Sequence, residues 1–374
     1  MLRCRTLLIV ALAISALPFL SQAQSERNRG AVFVMTNAAE RNQIIAYRRN
    51  SDGSLTQSRT FPTGGRGSGG GIDPLASQGS LTLTQDHSTL LAVNAGSGDI
   101  SVFRVFGDNL RLVDRIPCGG SEPVAIAQHG DLVYVVNAGG ASNVTGFRLT
   151  RNGELKHIPN STAFLSTGNS GASSLSFSPD GETLLVTEKL TNSIDAFHVK
   201  NDGRLGPIVV NPSAGPGLFG ILFAPNGTAL ATETGPAGGQ NASAISSYSV
   251  HPNGTLSTIS GSVPTLGAAT CWHVVTPDGR FVYTSNAGSS TISGFSLGAN
   301  GALTPIAGTT VATLPAGSAN LDIALSENGK FLYTLDSGTG TVSAFGINSD
   351  GTLTSLGEVG GIPAASGANG IAAL

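Results

Sequence analysis

The sequence predicts an all-β fold, a seven-bladed β-propeller built from four-stranded antiparallel blades, and three observations support this prediction. An aromatic residue near the end of a short β-type run recurs at Tyr47, Phe103, Phe147, Phe197, Tyr248, Phe295 and Phe345. These residues are 44 to 56 positions apart, a period typical of repeated supersecondary units. Leucines follow them by about eight residues, at Leu55, Leu110, Leu155, Leu205, Leu256, Leu303 and Leu353.

Each period contains four strand-length runs, which we name A to D from the central channel outwards. In the sixth unit, the runs are A at 273–276, B at 281–285, C at 291–297 and D at 302–306. Turns at Asp278-Gly279 and Asn300-Gly301 separate A from B and C from D, and such steps supply the positive φ of a tight hairpin. Four-stranded antiparallel units repeated radially form a propeller.

Counting the B runs gives seven blades and predicts how the ring closes. B runs begin near Val32, Leu90, Leu132, Thr183, Ala229, Phe281 and Phe331. The first of them has no A run before it, whereas residues 370–373 form an A run with no B run after it. We therefore expect this C-terminal strand to pair with 32–35 of the N-terminal blade, which would cover two sheet edges.

The first 23 residues have the pattern of a signal peptide. Arg3 and Arg5 precede an apolar stretch at 6–20, and the small residues Ser21 and Ala23 flank Gln22 before a cleavage point. We expect residues 24–374 to form a single propeller domain in an exported, periplasmic or extracellular protein.

Composition limits the partners. Charged residues make up 11% of the chain and the formal net charge is −3, so a basic surface for nucleic acid is not expected. We expect a monomer without membrane insertion that takes a small-molecule substrate or ligand without a cofactor. The spacing of the residues demands no metal site, although Asn, Asp and Glu oxygens over the channel are of the kind that bind calcium. Cys118 and Cys271 lie in distant units, too far apart for a disulfide, and should be buried free thiols.

Meander topology places the loops on two faces. The A-to-B and C-to-D turns share one face, the turn face, and are too short to leave much room for a pocket. The B-to-C turns and the long D-to-A connections share the other, the loop face, where function is expected. The B runs end there in polar residues: Asn37, Asn94, Asn137, Glu188, Glu233, Asn286 and Asp336.

Glu188 and Glu233 end adjacent B strands, so one of them could act as a general acid or base, with Asn286 and Asp336 binding substrate. The alternative is that such residues only cap the B-to-C turns through side chain to backbone hydrogen bonds. His273 begins an innermost strand beside Trp272, which could wall a pocket. A histidine in an apolar strand is otherwise a packed core residue.

Arg66 lies in the glycine-rich stretch 64–71, an insertion that only the first unit has. There it could bind a carboxylate or phosphate with two parallel hydrogen bonds. The alternative is a flexible surface loop with a solvated arginine.

Several motifs resemble a known family. Ser178-Pro179-Asp180-Gly181, the similar turn at 276–279, the run 194–197 (Ile-Asp-Ala-Phe) and 201–205 (Asn-Asp-Gly-Arg-Leu) resemble the seven-bladed lactonase propellers, which include 6-phosphogluconolactonase and carboxymuconate cyclase. Residues 133–139 also resemble the YVTN-type repeats of secreted propellers. The resemblance covers about 30–374.

The resemblance implies a substrate site where the A strands begin. Relatives commonly carry a histidine there, whereas this chain has residues such as Glu122, Trp272 and Asp322, with His273 one position further in. Two functions remain open. One is a lactonase-type hydrolase or lactonising isomerase that acts on a lactone, sugar acid or related cyclic ester, with Glu233 or Glu188 as general base and His273 or Arg66 polarising the carbonyl. The other is a non-catalytic scaffold that binds a small ligand or a protein on the loop face.

Overall fold

A computed structural model describes residues 30–236 and 239–374, and in these residues it contains 29 β-strands in seven antiparallel sheets. Blade 1 contains β29 (Ile371–Ala373), β1 (Ala31–Met35), β2 (Gln43–Arg49) and β3 (Leu55–Pro62); blade 2 contains β4 (Leu81–Leu83), β5 (Thr89–Asn94), β6 (Asp99–Phe106) and β7 (Asn109–Pro117). Blade 3 contains β8 (Ser121–His129), β9 (Leu132–Gly139), β10 (Asn143–Leu149) and an outer strand broken into β11 (Leu155–His157) and β12 (Ala163–Phe164).

The remaining blades follow the same A-B-C-D order. Blade 4 contains β13 (Ala172–Phe177), β14 (Thr183–Glu188), β15 (Ser193–Val199) and β16 (Leu205–Pro212); blade 5 contains β17 (Leu218–Phe223), β18 (Ala229–Glu233), β19 (Ala244–Val250) and β20 (Leu256–Pro264). Blade 6 contains β21 (Thr270–Val275), β22 (Phe281–Asn286), β23 (Thr291–Leu297) and β24 (Leu303–Thr313); blade 7 contains β25 (Asn320–Leu325), β26 (Phe331–Asp336), β27 (Thr341–Ile347) and β28 (Leu353–Val359). The predicted seven-bladed fold is confirmed.

The ring closes in blade 1 as predicted. β29 pairs antiparallel with β1, with Val34 opposite Ile371 and Val32 opposite Ala373. Two further backbone bonds extend this pairing, from Met35 N–H to the Gly370 carbonyl and from Leu374 N–H to the Ala31 carbonyl. Both chain ends of the described propeller are therefore held in a single sheet.

The aromatic residues of the repeat are core residues, all at least 95% buried. Tyrosines on B strands also join neighbouring blades. The hydroxyls of Tyr134, Tyr283 and Tyr333 donate to the carbonyls of Gly203, Gly351 and Gly53, which belong to C-to-D turns of the following blade. These three glycines have φ between 85° and 90°, so the turn conformation itself requires glycine.

Blades 3 to 7 each have a β-bulge where strand A begins. The register with strand B shifts at Val124, at Ser173, at Phe219 and Gly220, at Cys271, and at Leu321 and Asp322. A bulge changes the direction of a side chain and is common beside active sites. These bulges lie at the positions where the family resemblance placed a substrate site.

Cys118 and Cys271 are free and buried, as expected. The predicted signal peptide, residues 1–23, lies outside the described residues. In 30–236 and 239–374 the structure has no helix with the length and hydropathy needed to cross a membrane.

Candidate active site

The polar residues that end the B strands are buried, and they are hydrogen-bonded to their own blades and to adjoining connections. The carboxylate of Glu233 accepts hydrogen bonds from Gly215 N–H at 3.0 Å, Ser246 Oγ at 2.6 Å and Ser262 Oγ at 2.7 Å. Glu188 accepts from Ser166, through both its N–H and its hydroxyl, and from Thr191. Among the residues that the structure describes, no hydrogen bond joins the two glutamates.

The other two predicted residues of this ring have similar contacts. Asp336 accepts from the hydroxyls of Ser343 and Thr334, and burial raises its pKa to about 7. The amide of Asn286 donates to Ser293 Oγ at 2.8 Å, inside blade 6. The structure thus supports a structural role for the ring, while Glu233 also borders a cavity of about 230 Å³.

Glu188 has an acidic neighbour that the sequence analysis missed. Asp195, on β15, is fully buried, and its pKa is raised to about 8 by burial and by the adjacent Glu188 carboxylate. Near neutral pH the Asp195 carboxyl therefore holds a proton and donates it towards Glu188. In five other blades the corresponding residue is a serine or threonine: Ser101, Thr145, Ser246, Ser293 and Ser343. The aspartate in blade 4 departs from this repeat, and that departure could have identified Asp195 from the sequence.

Replacing Asp195 with asparagine is expected to stabilise the protein by about 1 to 3 kcal/mol at pH 8. Between pH 4 and 8 the unfolded chain releases the Asp195 proton while the native state retains it, so wild-type stability falls as pH rises. Asparagine still donates to Glu188 and removes this dependence. Urea unfolding at pH 5 and pH 8 measures the effect, with the exposed Asp202→Asn as control; a variant with the wild-type pH dependence would contradict the shared proton.

His273 is buried, and its ring lies beside the backbone of Leu230. Burial lowers its pKa to about 3, so the imidazole is neutral. Arg66 is exposed, and its backbone bonds to Ser97 across the B-to-C turn of blade 2. Its loop is anchored: Gly67 N–H donates to the Ala38 carbonyl, and a Cβ at Gly67 would lie 2.1 Å from the Asn37 carbonyl oxygen.

The connection from blade 1 to blade 2 crosses the channel at the loop face. We name residues 73–78 the crossing segment. The Ser77 hydroxyl donates to the Val124 carbonyl in blade 3, Gln78 N–H donates to the Ser173 carbonyl in blade 4, and Gln78 Nε2 donates to the His273 carbonyl in blade 6. Trp272 Nε1 donates to the Ser77 carbonyl at 2.7 Å. The segment therefore closes this end of the channel.

Titratable side chains gather around the crossing segment. The Lys189 ammonium donates to the Ala76 carbonyl and lies 5.2 Å from the centroid of the Phe219 ring. Asp73 Oδ1 accepts from Asn369 Nδ2 at 2.8 Å. Burial raises the pKa of Asp73 to about 6, although Lys189 opposes this shift. We name Asp73, Lys189 and Glu122, with Trp272 and Phe219, the Lys189 site.

Burial lowers the pKa of Lys189, whereas the charges of Asp73 and Glu122 oppose this shift. Glu122 is exposed at the start of β8. Asp322 is buried, accepts from Ile323 and Ile371 N–H groups, and has a pKa raised to about 7 by burial. Of the sequence-predicted binding residues, the structure thus brings Glu122, Trp272 and Asp322 to this region.

The backbone is strained here. Asp73, Ala76 and Glu122 have φ of 50°, 44° and 53°, a left-handed conformation that costs free energy for residues other than glycine. Such strain concentrates at functional sites. Here the half-buried Lys189 ammonium can polarise a carbonyl group, and the Asp73 carboxylate, with a pKa of about 6, can accept a proton from water.

The turn face has more room than its short turns suggested. A cavity of about 480 Å³ lies in the channel, with Gln85 and Pro179 among the residues at the A-to-B turns and Gln78 and Asp322 at its inner end. In the part of the chain that the structure describes, no group of three or more His, Cys, Asp or Glu side chains could hold a metal ion.

Comparisons with known proteins agree with this architecture. The family model described as Lactonase, 7-bladed beta-propeller, matches residues 26–166, 141–273 and 271–374. A 6-phosphogluconolactonase from Enterobacter sp. (strain 638) is 26% identical over 287 residues, which are 74% of this chain and 80% of the relative. The likeness to YVTN-type repeats stays a prediction.

Solved structures share the fold at low identity. A protein from Lactobacillus plantarum is 18% identical with a TM-score of 0.69, and the match covers 92% of this chain and 98% of that one. A periplasmic gluconolactonase from Pseudomonas aeruginosa is 17% identical with a TM-score of 0.66, covering 92% and 99%.

Proposed function

Since the chain belongs to the family of seven-bladed β-propeller lactonases, we propose that it hydrolyses a lactone at the Lys189 site on the loop face. The observation that carries this proposal is the half-buried Lys189 amine beside Asp73, where the A strands begin. The names of two similar proteins, a 6-phosphogluconolactonase and a periplasmic gluconolactonase, support lactone chemistry.

In this proposal the Lys189 ammonium donates a hydrogen bond to the lactone carbonyl oxygen and stabilises the negative charge that develops there. The Asp73 carboxylate takes a proton from water as the water oxygen attacks the carbonyl carbon. The bond from that carbon to the ring oxygen then breaks, and the proton passes from Asp73 to the departing oxygen. The product is a hydroxy acid, which ionises to a hydroxy carboxylate.

The catalytic roles predicted from the sequence for Glu233, Glu188 and His273 remain predictions. The non-catalytic scaffold is the remaining alternative, and it would be supported if the purified protein bound lactones without hydrolysing them.

Replacing Lys189 with methionine tests the proposal, because methionine keeps the apolar stem and removes the charge. We expect kcat/KM for lactone hydrolysis to fall by about tenfold to a hundredfold. Lys200→Met, in an exposed turn of the same blade, is the matched control and should retain full activity. Hydrolysis by the Lys189 variant at the wild-type rate would remove the site from this part of the propeller.

We also propose that the protein is exported and works as a monomer on a small molecule. Support for export comes from the predicted signal peptide and from the periplasmic location in the name of the Pseudomonas relative. N-terminal sequencing of exported protein should begin at Gln24, and an N-terminus upstream of residue 6 would contradict cleavage.

A further inference from the structure

The Lys189 site has an unfavourable charge for an anionic substrate. Its single ammonium is attracted by two carboxylates, Asp73 and Glu122. A phosphate monoester carries nearly two negative charges and is usually bound by clustered arginines or lysines. Within 30–236 and 239–374, further cations on this face are Arg41, Arg66 and Arg115, which belong to blades 1 and 2 and their connection. Arg115 already donates to the Gly64 carbonyl and lies close to Asp99.

Apolar side chains flank the same site. Leu190 follows Lys189 in the chain and is 66% exposed, and Ile72 precedes Asp73 and is 52% exposed. The Leu190 N–H donates to the Ser170 carbonyl, and its side chain packs over Gly171, where a Cβ would lie 2.8 Å from the leucine Cγ. Leu190 is thus fixed near the beginning of strand A of blade 4.

The floor of the site is also apolar. Trp272 and Phe219 meet edge to face with ring centroids 5.3 Å apart, and both rings are buried. The Trp272 N–H donates to the Ser77 carbonyl, so the buried indole supports the crossing segment from below and adds no free polar group to the site. An isolated exposed leucine is ordinary on a protein surface. Two exposed apolar residues, each directly adjacent in the chain to one of the two reactive polar residues, favour a substrate with an apolar part.

Resting on the proposed function, we infer that the substrate is an uncharged lactone that carries an apolar substituent, with Leu190 and Ile72 contacting that substituent. The two carboxylates of the site account for both the entry of the substrate and the release of the product. A neutral lactone approaches Asp73 and Glu122 without repulsion, whereas the hydroxy carboxylate formed by hydrolysis is repelled by them. A phosphorylated lactone would be repelled before reaction.

The test compares the kcat/KM of purified protein for δ-lactones with progressively longer alkyl chains, for glucono-δ-lactone and for its 6-phosphate. We expect kcat/KM to rise about threefold for each added methylene until the apolar surface is covered. Leu190→Ser should abolish this rise. Val210→Ser, at an exposed apolar residue on the outer strand of the same blade, should preserve both the rise and the kcat/KM for the unsubstituted δ-lactone.

Two results would overturn the inference while the proposed function stands: a higher kcat/KM for the 6-phosphate than for the alkyl lactones, or a rise with chain length that persists in Leu190→Ser. If no lactone is hydrolysed, the proposed function fails instead. Calorimetric binding of the matching alkyl δ-lactams, which resist hydrolysis, then decides the substrate class. Binding that strengthens with chain length and depends on Leu190 would support the inferred apolar substituent, and absence of binding would overturn that inference.

Discussion

Replacing Asp73 with asparagine is expected to lower kcat for lactone hydrolysis by roughly a thousandfold, the effect of losing a well-placed general base. Asparagine preserves the size of the side chain and can still accept from Asn369 and from Ala76 N–H, so the crossing segment should stay in place. Steady-state kinetics at pH 7.5 measures the loss, and circular dichroism checks the fold.

The pH profile separates a base from a structural group. Because the pKa of Asp73 is about 6, wild-type kcat/KM should fall below pH 6 as this carboxylate gains a proton. The residual activity of Asp73→Asn should lack that acidic limb. Lys189, whose pKa is lowered, should set an alkaline limb that both proteins retain.

Glu233→Gln is the matched control for Asp73→Asn. Glutamine would direct an amide group at donors such as Gly215 N–H and Ser246 Oγ, so this variant should unfold at a lower temperature but retain kcat per folded molecule. A loss of activity in Glu233→Gln, with Asp73→Asn fully active, would assign the base to blade 5, as the sequence analysis predicted.

Deleting the residues after Ser366 is expected to cost on the order of 5 kcal/mol or more, a large part of the stability of a typical domain. The deletion removes β29, the buried side chains of Ile371 and Leu374, and the bonds of Asn369 to Asp73 and Ser80. We expect insoluble protein or a Tm lower by more than about 10 °C.

Leu190→Ser serves as a control for this deletion, because it alters exposed apolar surface without touching a ladder and should leave Tm unchanged. Adding a peptide of residues 367–374 to the truncated protein should restore part of the lost stability. A truncated protein with the wild-type Tm would refute the role of this closure.

The fold was predictable because the pattern is local. A blade needs only alternating β-type runs and turn residues, and glycines such as Gly203 and Gly351 mark turns whose φ few other residues adopt. Ring closure could be predicted by counting strands. The first B strand lacks an A strand and the C-terminal A strand lacks a B strand, so these two strands are expected to pair.

The candidate site was only partly predictable, since it depends on packing between distant segments. Glu188 and Glu233 were expected to share the channel mouth, but each is bonded to its own blade and to the connection that precedes it. The β-bulges at Cys271 and at Leu321 and Asp322 interrupt the regular alternation of side chains between the two faces of the sheet, so the sequence alone does not predict which way these side chains point. Asp73 and Lys189 are 116 positions apart and meet only because the crossing segment spans the ring.

The seam in blade 1 also determines when this protein can finish folding. β1 is synthesised first among the described strands, yet its partner at 371–373 leaves the ribosome after every other strand. Until then the uncharged run Ala31–Met35 has one open edge, a segment prone to intermolecular pairing. Pairing between positions so distant in sequence is slow, so closure of this seam is expected to limit the folding rate.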